Sequence, residues 1–424
     1  MSEAATRQDK LAAEPVVLNL KQTRSSVSQV EGFIHPDFWS VARLFKSLVP
    51  DKEPGGAALC IYHRGRKVVD LWGGTSDTKG TSWKTDTASI SYSTTKGVAS
   101  TLLHTLVDEG LLDYDEPVSK HWPEFAHSGK AAITIRQVMC HEAGLYDIRS
   151  MIDHASRMLD WDYMIRALEA AHPAHEPGKA HGYHGLTYGH IVGELIQRVT
   201  GKPFAQVLEE KLSRPLGLEG MFVGLPADQS HRKATLILSG IQGGEGRADR
   251  YRGYLGTVNR WLRMVGVPID LREAEKALIP HGIDQLDWNS PEFAAASIPS
   301  ANGVFTARSL ARLYAALAAG GELDGVRILS ERTLFRAATV QNRTVDRVIP
   351  FPMHWRLGYH RPFMLGPSVR HAIGHFGFGG SGGWADLDRN LSVALTLNSG
   401  VGTPVGDLRI IRVSTTAARC ADRR

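Results

Sequence analysis

Two segments with a hairpin pattern lie far apart in the sequence, at residues 56–74 and 381–400. In each, two strand-like runs flank a short turn, Arg-Gly in the first and Arg-Asn in the second. Such pairs are typical of antiparallel strands joined by a tight turn. Because a long, mostly helical region separates them, we expect both hairpins to enter one antiparallel sheet, which gives an α+β fold.

Helical patterns border this predicted sheet. Residues 35–49 and 406–419 carry apolar residues at helical spacing, which predicts terminal helices that pack against it. We predict a polar, loosely ordered N-terminal lead-in and one domain, made of a helical part inserted into an α/β part. The predicted boundaries are 1–31 for the lead-in, 32–424 for the domain, about 32–115 and 350–424 for its α/β part, and about 116–349 for its helical part.

The composition argues against several classes of protein. The net charge of +5 is small for 424 residues and the basic residues are scattered, so nucleic-acid binding is not expected. No run of about 18 apolar residues appears, so no membrane-spanning helix is expected. The three cysteines are far apart and the N-terminus lacks the apolar core of a signal peptide, so we expect a cytoplasmic protein without disulfides or membrane attachment.

The spacing S-x-x-K occurs three times, beginning at Ser76, Ser93 and Ser230. Only Ser93, in "SYSTTKG", stands where a helix with an apolar stripe would begin; Gly110 would end that helix. Residues three apart in a first helical turn lie about 5–6 Å apart at Cβ, so the amine of Lys96 can reach the Ser93 hydroxyl. Since a serine nucleophile needs an adjacent base, and burial lowers the pKa of a lysine, this pair is a candidate catalytic dyad.

The residues alone leave two alternatives open. Ser93 could simply cap the helix, a favoured position for serine, with Lys96 solvated. Ser381, in "GGSGG", matches the G-x-S-x-G pattern of the α/β-hydrolase nucleophile. That motif requires a strand before the serine and a helix after it, whereas a hairpin pattern follows Ser381. We therefore interpret these glycines as permitting a close backbone approach.

Five segments, taken in order, resemble one family. They are "SYSTTKG", "HWPEFAHSGKAAITIRQVMCHEAGL", "HGYHGLTYGHIVGEL", "SIPSANGVFTARSLARLYAALAAGG" and "IGHFGFGGSGGWADLD". Together they are similar to the serine β-lactamase-like superfamily, and specifically to class C β-lactamase-like carboxylesterases, often called family VIII esterases. The resemblance covers about residues 32–400. It implies a serine β-lactamase/penicillin-binding-protein-like fold, with an antiparallel sheet flanked by terminal helices and a mostly helical subdomain.

The resemblance also implies roles for individual residues. Ser93 would be the acylated nucleophile, Lys96 its general base, and Tyr183 of "GYHG" a second acid/base group. The sequence leaves open whether Lys96 or Tyr183 accepts the serine proton. A tyrosine in this position could also be a loop aromatic that packs on a helix.

A third motif contributes the other implied site residues. The backbone N–H groups of Ser93 and Phe378 would form the oxyanion hole, and His375 and Gly377 of "HFG" would contact substrate. Two residues depart from the β-lactamase pattern. Gly185 stands where an asparagine would bind the lactam side-chain amide, and His375 replaces a lysine that would hold a carboxylate. Both changes favour a neutral ester.

We therefore expect a catalytic domain with the activity of a serine hydrolase. It would be a carboxylesterase that cleaves short-chain esters through an acyl-enzyme, with a small-molecule ester as partner and no cofactor. The alternatives are a β-lactamase or D-alanyl-peptide hydrolase, an acyltransferase that uses the same acyl-enzyme, and a binding module without activity. The oligomeric state stays open. We predict that residues 239–290 determine selectivity and that 239–256 form a mobile loop.

A metal site is the last alternative. His172, His175, His181 and His184 lie within one short segment, and pairs two residues apart can chelate zinc. Prolines make the segment a loop, and the H-E-x-x-H pattern is absent, so we expect no metal and a loop that positions Tyr183. Cys140 we interpret as a small buried residue.

Overall fold

A seven-stranded antiparallel sheet lies at the centre of the fold. The computed structural model describes residues 16–20, 30–51, 53–238, 271–349, 351–400 and 407–424. The strands are β1 (Val16–Leu20), β2 (Val30–Ile34), β3 (Gly56–His63), β4 (Arg66–Gly74), β5 (Ala372–Phe376), β6 (Gly382–Asp386) and β7 (Leu391–Leu397), in the spatial order β1-β2-β4-β3-β7-β6-β5.

The two predicted hairpins meet at the middle of this sheet. Strand β3 of the first pairs with β7 of the second, from Leu391 opposite His63 to Leu397 opposite Ala57. Their turns carry Arg64 at φ 52° and Asn390 at φ 47°, the left-handed conformation that tight hairpin turns require. The prediction of one sheet formed by distant parts of the chain is confirmed.

The N-terminal boundary differs from the prediction. Strand β1 lies within residues 1–31, which we predicted to be a loosely ordered lead-in, and it pairs along its length with β2. The sequence of β1, "VVLNL", is apolar and β-branched, as strands prefer, but its polar surroundings hide that signal. The sheet therefore begins earlier than predicted.

The described part of the chain contains eight helices of eight residues or more. They are α1 (Trp39–Leu48), α2 (Thr94–Asp108), α3 (Trp161–Ala170), α4 (Tyr188–Thr200), α5 (Leu271–Leu278), α6 (Ala307–Ala318), α7 (Glu331–Ala338) and α8 (Arg409–Arg423). Shorter helices span Ile135–Met139, Ile148–Met151, Phe204–Leu208, Arg214–Leu216 and Pro291–Ala295. Short strands span Ser89–Ile90, Met221–Phe222, Ile237–Leu238, Val304–Phe305, Glu322–Leu323, Val326–Arg327 and Ser399–Gly400.

Both faces of the sheet are covered. Leu59 and Ile61 of β3 belong to the core formed with α1 and α8, whereas Cys60 and Tyr62 belong to the core formed with α2 and α6. This alternation follows from the two-residue period of a strand. The predicted terminal helices therefore cover one face, and the helical part of the chain covers the other.

Helix α2 is buried on all sides. We predicted one buried stripe, but every residue from 94 to 107 is buried. Its polar side chains have partners: Ser100 Oγ lies 2.7 Å from Tyr188 Oη, and Thr101 Oγ1 lies 2.7 Å from Tyr359 Oη. Because these groups are satisfied inside the protein, the helix can lie between the sheet and the helical part.

The described residues also bear on the cysteines and on membrane insertion. Cys60, Cys140 and Cys420 are free thiols, and all three are buried. Cys140 lies in the main apolar core, as predicted. Among the helices that the structure describes, none has both the length and the apolar character needed to cross a membrane.

One hydrogen bond between α8 and the sheet gives a stability prediction. The indole Nε1–H of Trp384, which is fully buried, donates to Ser414 Oγ at 2.8 Å. Ser414→Ala leaves that donor without a partner, so we expect the free energy of unfolding to fall by about 1–3 kcal/mol in urea titrations. Thr416→Ala on the same helix is the matched control, since Thr416 bonds an exposed helix carbonyl. Its effect should stay within about 0.5 kcal/mol; equal losses would contradict the assignment.

Candidate active site

Ser93 stands immediately before helix α2 but does not cap it. Its side chain accepts no capping hydrogen bond from the backbone of the first turn. Instead, its Oγ accepts a hydrogen bond from the Tyr183 hydroxyl at 2.7 Å and lies 3.2 Å from Lys96 Nζ. The helix-cap alternative is therefore wrong, and the structure brings the three predicted residues together.

Lys96 is fully buried rather than solvated. Its Nζ donates to the carbonyl oxygens of Gly185 at 2.6 Å and Ser300 at 2.8 Å. Burial lowers the pKa of this amine well below that of an exposed lysine, because desolvation penalises the ammonium form. The sequence identifies neither carbonyl group as a partner of Lys96, because a backbone carbonyl leaves no pattern in the sequence.

Tyr183 lies in a tight loop before α4. The backbone N–H of Gly182 donates to the His141 carbonyl at 3.0 Å, which fixes the loop against the segment after Ile135–Met139. Lys96 Nζ lies 4.9 Å from the centre of the phenol ring. Burial raises the pKa of the Tyr183 hydroxyl, so the phenol is neutral and donates its proton to Ser93 Oγ.

The loop after β5 lies directly against the chain that precedes Ser93. A Cβ atom built on Gly377 would lie 2.3 Å from the Ser91 carbonyl oxygen, so this approach requires glycine. Ser381 Oγ donates to the same carbonyl at 3.0 Å, and Ser381 is 1% exposed. Strand β6, not a helix, follows Ser381. The nucleophile-elbow alternative is therefore wrong, because Ser381 joins two segments of the scaffold.

In the part of the chain that the structure describes, two backbone N–H groups next to this contact have no internal acceptor. Among the described residues, neither the Ser93 N–H nor the Phe378 N–H donates to a protein group. The Phe378 ring packs edge-on against Tyr92, with centroids 5.5 Å apart, and Arg409 donates to the Gly379 carbonyl at 3.0 Å. The loop that carries Phe378 is thus held from both sides.

His375 lies at the edge strand β5 and is uncharged. Its Nδ1–H donates to the Phe376 carbonyl at 3.0 Å, so Nε2 carries the lone pair; that buried atom has no partner among the described residues. Desolvation, followed by the nearby His360 and Lys96, lowers the pKa of His375 well below its usual value. Its ring stacks near Tyr183 with centroids 6.0 Å apart.

The histidine-rich segment contributes hydrogen bonds to the loop of Tyr183. His184 Nε2 accepts a hydrogen bond from the Leu145 N–H at 2.9 Å, and the His184 N–H donates to His141 Nδ1 at 3.2 Å. His172 is exposed, and His181 is buried beside the same loop. Within the described ranges, no group of three potential ligands is arranged to hold a metal ion.

Helix α5 occupies the space that an asparagine side chain would need if it replaced Gly185. A Cβ atom on Gly185 would lie 2.2 Å from Leu278 Cδ2 and 3.1 Å from the Ala277 carbonyl oxygen. Ala277 and Leu278 belong to an apolar cluster that also contains Tyr183 and Trp355. The wall beside Tyr183 is therefore apolar. Of the region predicted to determine selectivity, 239–290, residues 239–270 lie outside the described residues, including the predicted mobile loop 239–256.

Comparison with known proteins agrees with this geometry. The family model described as Beta-lactamase matches residues 41–417. The chain belongs to the beta-lactamase family. This confirms the resemblance and the fold that the sequence predicts.

Three relatives narrow the comparison within the beta-lactamase family. The protein named Esterase/beta-lactamase LipL, from Mycobacterium tuberculosis, is 38% identical over 375 residues, covering 87% of this chain and 83% of LipL. A crystal structure of a family VIII carboxylesterase is 33% identical with a TM-score of 0.79, and the match covers 92% of this chain and 99% of that one. A penicillin-binding protein homologue from Caulobacter crescentus is 34% identical with a TM-score of 0.78, at the same coverage. This chain is thus a hydrolase of the beta-lactamase family with esterase neighbours.

Covalent labelling can distinguish between the two candidate serines, Ser93 and Ser381. We expect an activated fluorophosphonate to phosphonylate Ser93 Oγ with loss of fluoride, because only Ser93 has a neighbouring amine and phenol. Intact-mass spectrometry should show one adduct on the wild type and none on Ser93→Ala. Ser381→Ala is the control and should still be labelled. Adducts on Ser93→Ala, or an adduct that peptide mapping places on Ser381, would contradict the assignment.

Proposed function

We propose that this protein is a serine carboxylesterase that hydrolyses short-chain, neutral esters through an acyl-enzyme on Ser93. One observation carries the proposal: the buried Lys96 amine directs hydrogen bonds to two carbonyl oxygens and lies beside the Ser93 hydroxyl. A carbonyl oxygen can only accept. A neutral Lys96 amine has two N–H groups, and these donate to the carbonyl oxygens of Gly185 and Ser300. Its lone pair is then directed towards Ser93.

This arrangement favours Lys96 over Tyr183 as the base in the first step. The Ser93 Oγ–H proton passes to the Lys96 lone pair while Oγ forms a bond with the ester carbonyl carbon. Tyr183 is an unsuitable base, since burial raises the pKa of its hydroxyl and the phenol already donates to Ser93 Oγ.

Tyr183 instead serves as the acid. As the tetrahedral intermediate collapses, the carbon–oxygen bond to the alcohol breaks, and the departing alkoxide takes the phenol proton. The Lys96 ammonium then returns a proton to the phenolate, which restores both groups. In the second half, water attacks the acyl carbon by the same route, and the acid leaves with Ser93 reprotonated.

The backbone N–H groups of Ser93 and Phe378 are proposed to stabilise the oxyanion. Both are free of internal acceptors among the described residues, and both belong to segments pinned by the Ser91–Ser381 contact. Donors that are fixed before the reaction cost no reorganisation when charge develops on the substrate oxygen. Loss of one such donor typically costs about 2.7–4 kcal/mol of transition-state stabilisation.

The substrate class follows from the walls of the site. His375, which we propose to contact substrate together with Gly377, is uncharged and cannot pair with a carboxylate as a lysine would. Leu278, which is partly exposed, makes the wall beside Tyr183 apolar. A neutral acyl group with an apolar chain suits such a site.

β-Lactam hydrolysis is a second candidate activity, because the relative LipL is named an esterase/beta-lactamase. The space for an amide-binding side chain at Gly185 is occupied by Leu278, so we propose that this activity is weaker than ester hydrolysis. Acyl transfer to an alcohol would use the same acyl-enzyme and differ only in the acceptor. The free, buried thiols support a cytoplasmic location as part of the proposal.

Hydrolysis of p-nitrophenyl esters from acetate to octanoate tests the proposed reaction. We expect turnover by the wild type, and a loss in kcat/KM of about 10³-fold or more for Ser93→Ala, since the nucleophile is gone. Ser230→Ala, with the same S-x-x-K spacing in an exposed 3₁₀-helix, is the control and should behave as wild type. A wild type inert towards every ester, or a fully active Ser93→Ala, would overturn the proposal.

The same assay tests the substrate class. The p-nitrophenyl monoester of succinic acid carries a carboxylate on a chain similar in length to butyrate. We expect the butyrate ester to react with the higher kcat/KM, and His375→Lys to narrow that difference by supplying a cation. A preference for the charged ester in the wild type would contradict the neutral site.

The proposed base also predicts a pH profile. Lys96 must be deprotonated to act, so kcat/KM should rise with pH through the pKa of its ammonium. Because burial lowers that pKa, the rising limb should lie well below about 10.4, the value of an exposed lysine. Lys96→Arg keeps the charge but cannot deprotonate, and should lose both the activity and the limb. A rising limb near the exposed-lysine value would exclude Lys96 as the base.

A further inference from the structure

A buried carboxylate far along the chain contacts the loop of Tyr183. Asp346 is 2% exposed, and its Oδ1 accepts hydrogen bonds from the backbone N–H groups of Tyr183 at 3.0 Å, Val348 at 2.8 Å and Ile349 at 2.9 Å. A second hydrogen bond supports this contact, because the N–H of Arg347, the residue after Asp346, donates to the His181 carbonyl at 3.0 Å. One oxygen atom thus ties the backbone of Tyr183 to a turn at residues 346–349.

The second oxygen of the same carboxylate holds an aromatic side chain. Asp346 Oδ2 accepts the indole Nε1–H of Trp355 at 2.9 Å. The indole in turn stacks on the Tyr183 phenol, with centroids 5.4 Å apart and planes 7° from parallel. Trp355 is fully buried, so the stack has no freedom to slide into solvent.

The consequence is that one side chain controls Tyr183 from two directions. The hydrogen bond to Asp346 fixes the position of the Tyr183 backbone, and the stacked Trp355 indole fixes the plane of the phenol ring. The phenol oxygen lies at the far end of that ring, where it donates to Ser93 Oγ at 2.7 Å. A small tilt of the ring would move this oxygen out of hydrogen-bond range, since such bonds weaken steeply with distance and angle.

We propose that Asp346 is a positioning residue that fixes the Tyr183 phenol against Ser93 through the backbone of Tyr183 and the indole of Trp355. The proposal rests on the role of Tyr183 given above. Asp346 does not touch the reacting atoms. It acts by preorganisation, which matters because a misplacement of about 1 Å can cost on the order of 10²-fold in rate.

The chemistry of the carboxylate suggests a selective variant. All four hydrogen bonds need acceptors, and a carboxylate supplies acceptors at both oxygens. Asp346→Asn keeps one acceptor, which the three backbone donors claim. Its amide N–H₂ then faces the Trp355 indole N–H, donor against donor. Trp355→Phe removes that indole N–H but leaves an aromatic ring, so it should remove the conflict.

The experiment measures the second-order rate constant for phosphonylation of Ser93 in the full-length chain and its variants. We expect Asp346→Asn to react about 10- to 100-fold more slowly than wild type. The double variant Asp346→Asn/Trp355→Phe should react no more slowly than Trp355→Phe alone, because the two changes act through one contact. For ester turnover, normalised to titrated sites, kcat should fall with little change in KM.

A matched control separates positioning from general loss of stability. Asp386 is also fully buried and accepts hydrogen bonds from Asp388 N–H and Arg389, but it lies at the end of β6. Asp386→Asn should lower the melting temperature without slowing phosphonylation. If Asp346→Asn does not fold, Trp355→Phe alone still tests the stack and should react more slowly than wild type.

The outcomes separate this inference from the proposed esterase activity. A wild-type rate for Asp346→Asn, or effects of the two changes that multiply in the double variant, would overturn the positioning role. Phosphonylation needs an activated Ser93 and the Tyr183 phenol, which would donate a hydrogen bond to the departing fluoride as it would to a departing alcohol, and it needs no particular substrate. If the wild type hydrolyses no ester, the esterase proposal fails while the rate constants still decide whether Asp346 positions Tyr183.

Discussion

The burial of one amine is the constraint on which the site depends. Lys96 has no contact with water, and an amine in such an environment must find protein acceptors or lose several kcal/mol. The acceptors are the carbonyls of Gly185 and Ser300, from two segments that are distant in sequence. Both segments must therefore close on helix α2 for the protein to fold. The contacts that give the Lys96 amine its hydrogen-bond acceptors also bring the residues of the site together.

Helix α2 can serve as that fixed point because the structure holds it from every side. Its hydroxyl groups are bonded to Tyr188 and Tyr359, which belong to α4 and to the chain before β5. The segment just before it is bonded to Ser381, at the start of β6. Ser93, the proposed nucleophile, is therefore tied both to the sheet and to the helical part. Because this central position removes Lys96 from solvent, desolvation lowers the pKa of its amine.

The sequence predicts those features of the fold and of the site that leave a short-range pattern of residues. Alternation and turn residues located both hairpins, and S-x-x-K at a helix start located Ser93 and Lys96. The burial of the whole of α2 was missed because its polar residues look exposed until their partners are known. Strand β1 was missed since a lone edge strand gives a weak signal within a polar stretch. Asp346 and the Ser300 carbonyl could not be found, because contacts across long sequence separations leave no local pattern, and a backbone carbonyl leaves none at all.

In the mechanism proposed above, Gly185 affects both the base and the choice of substrate. Its carbonyl oxygen accepts from Lys96 at 2.6 Å and so helps to direct the lone pair at Ser93. Its missing side chain admits Leu278, which makes the neighbouring wall apolar. A larger residue here would push helix α5 away and, through the backbone, disturb the acceptor of Lys96. We therefore propose that a small residue at this position serves both functions, because it leaves room for the apolar wall and keeps the carbonyl acceptor of Lys96 in place.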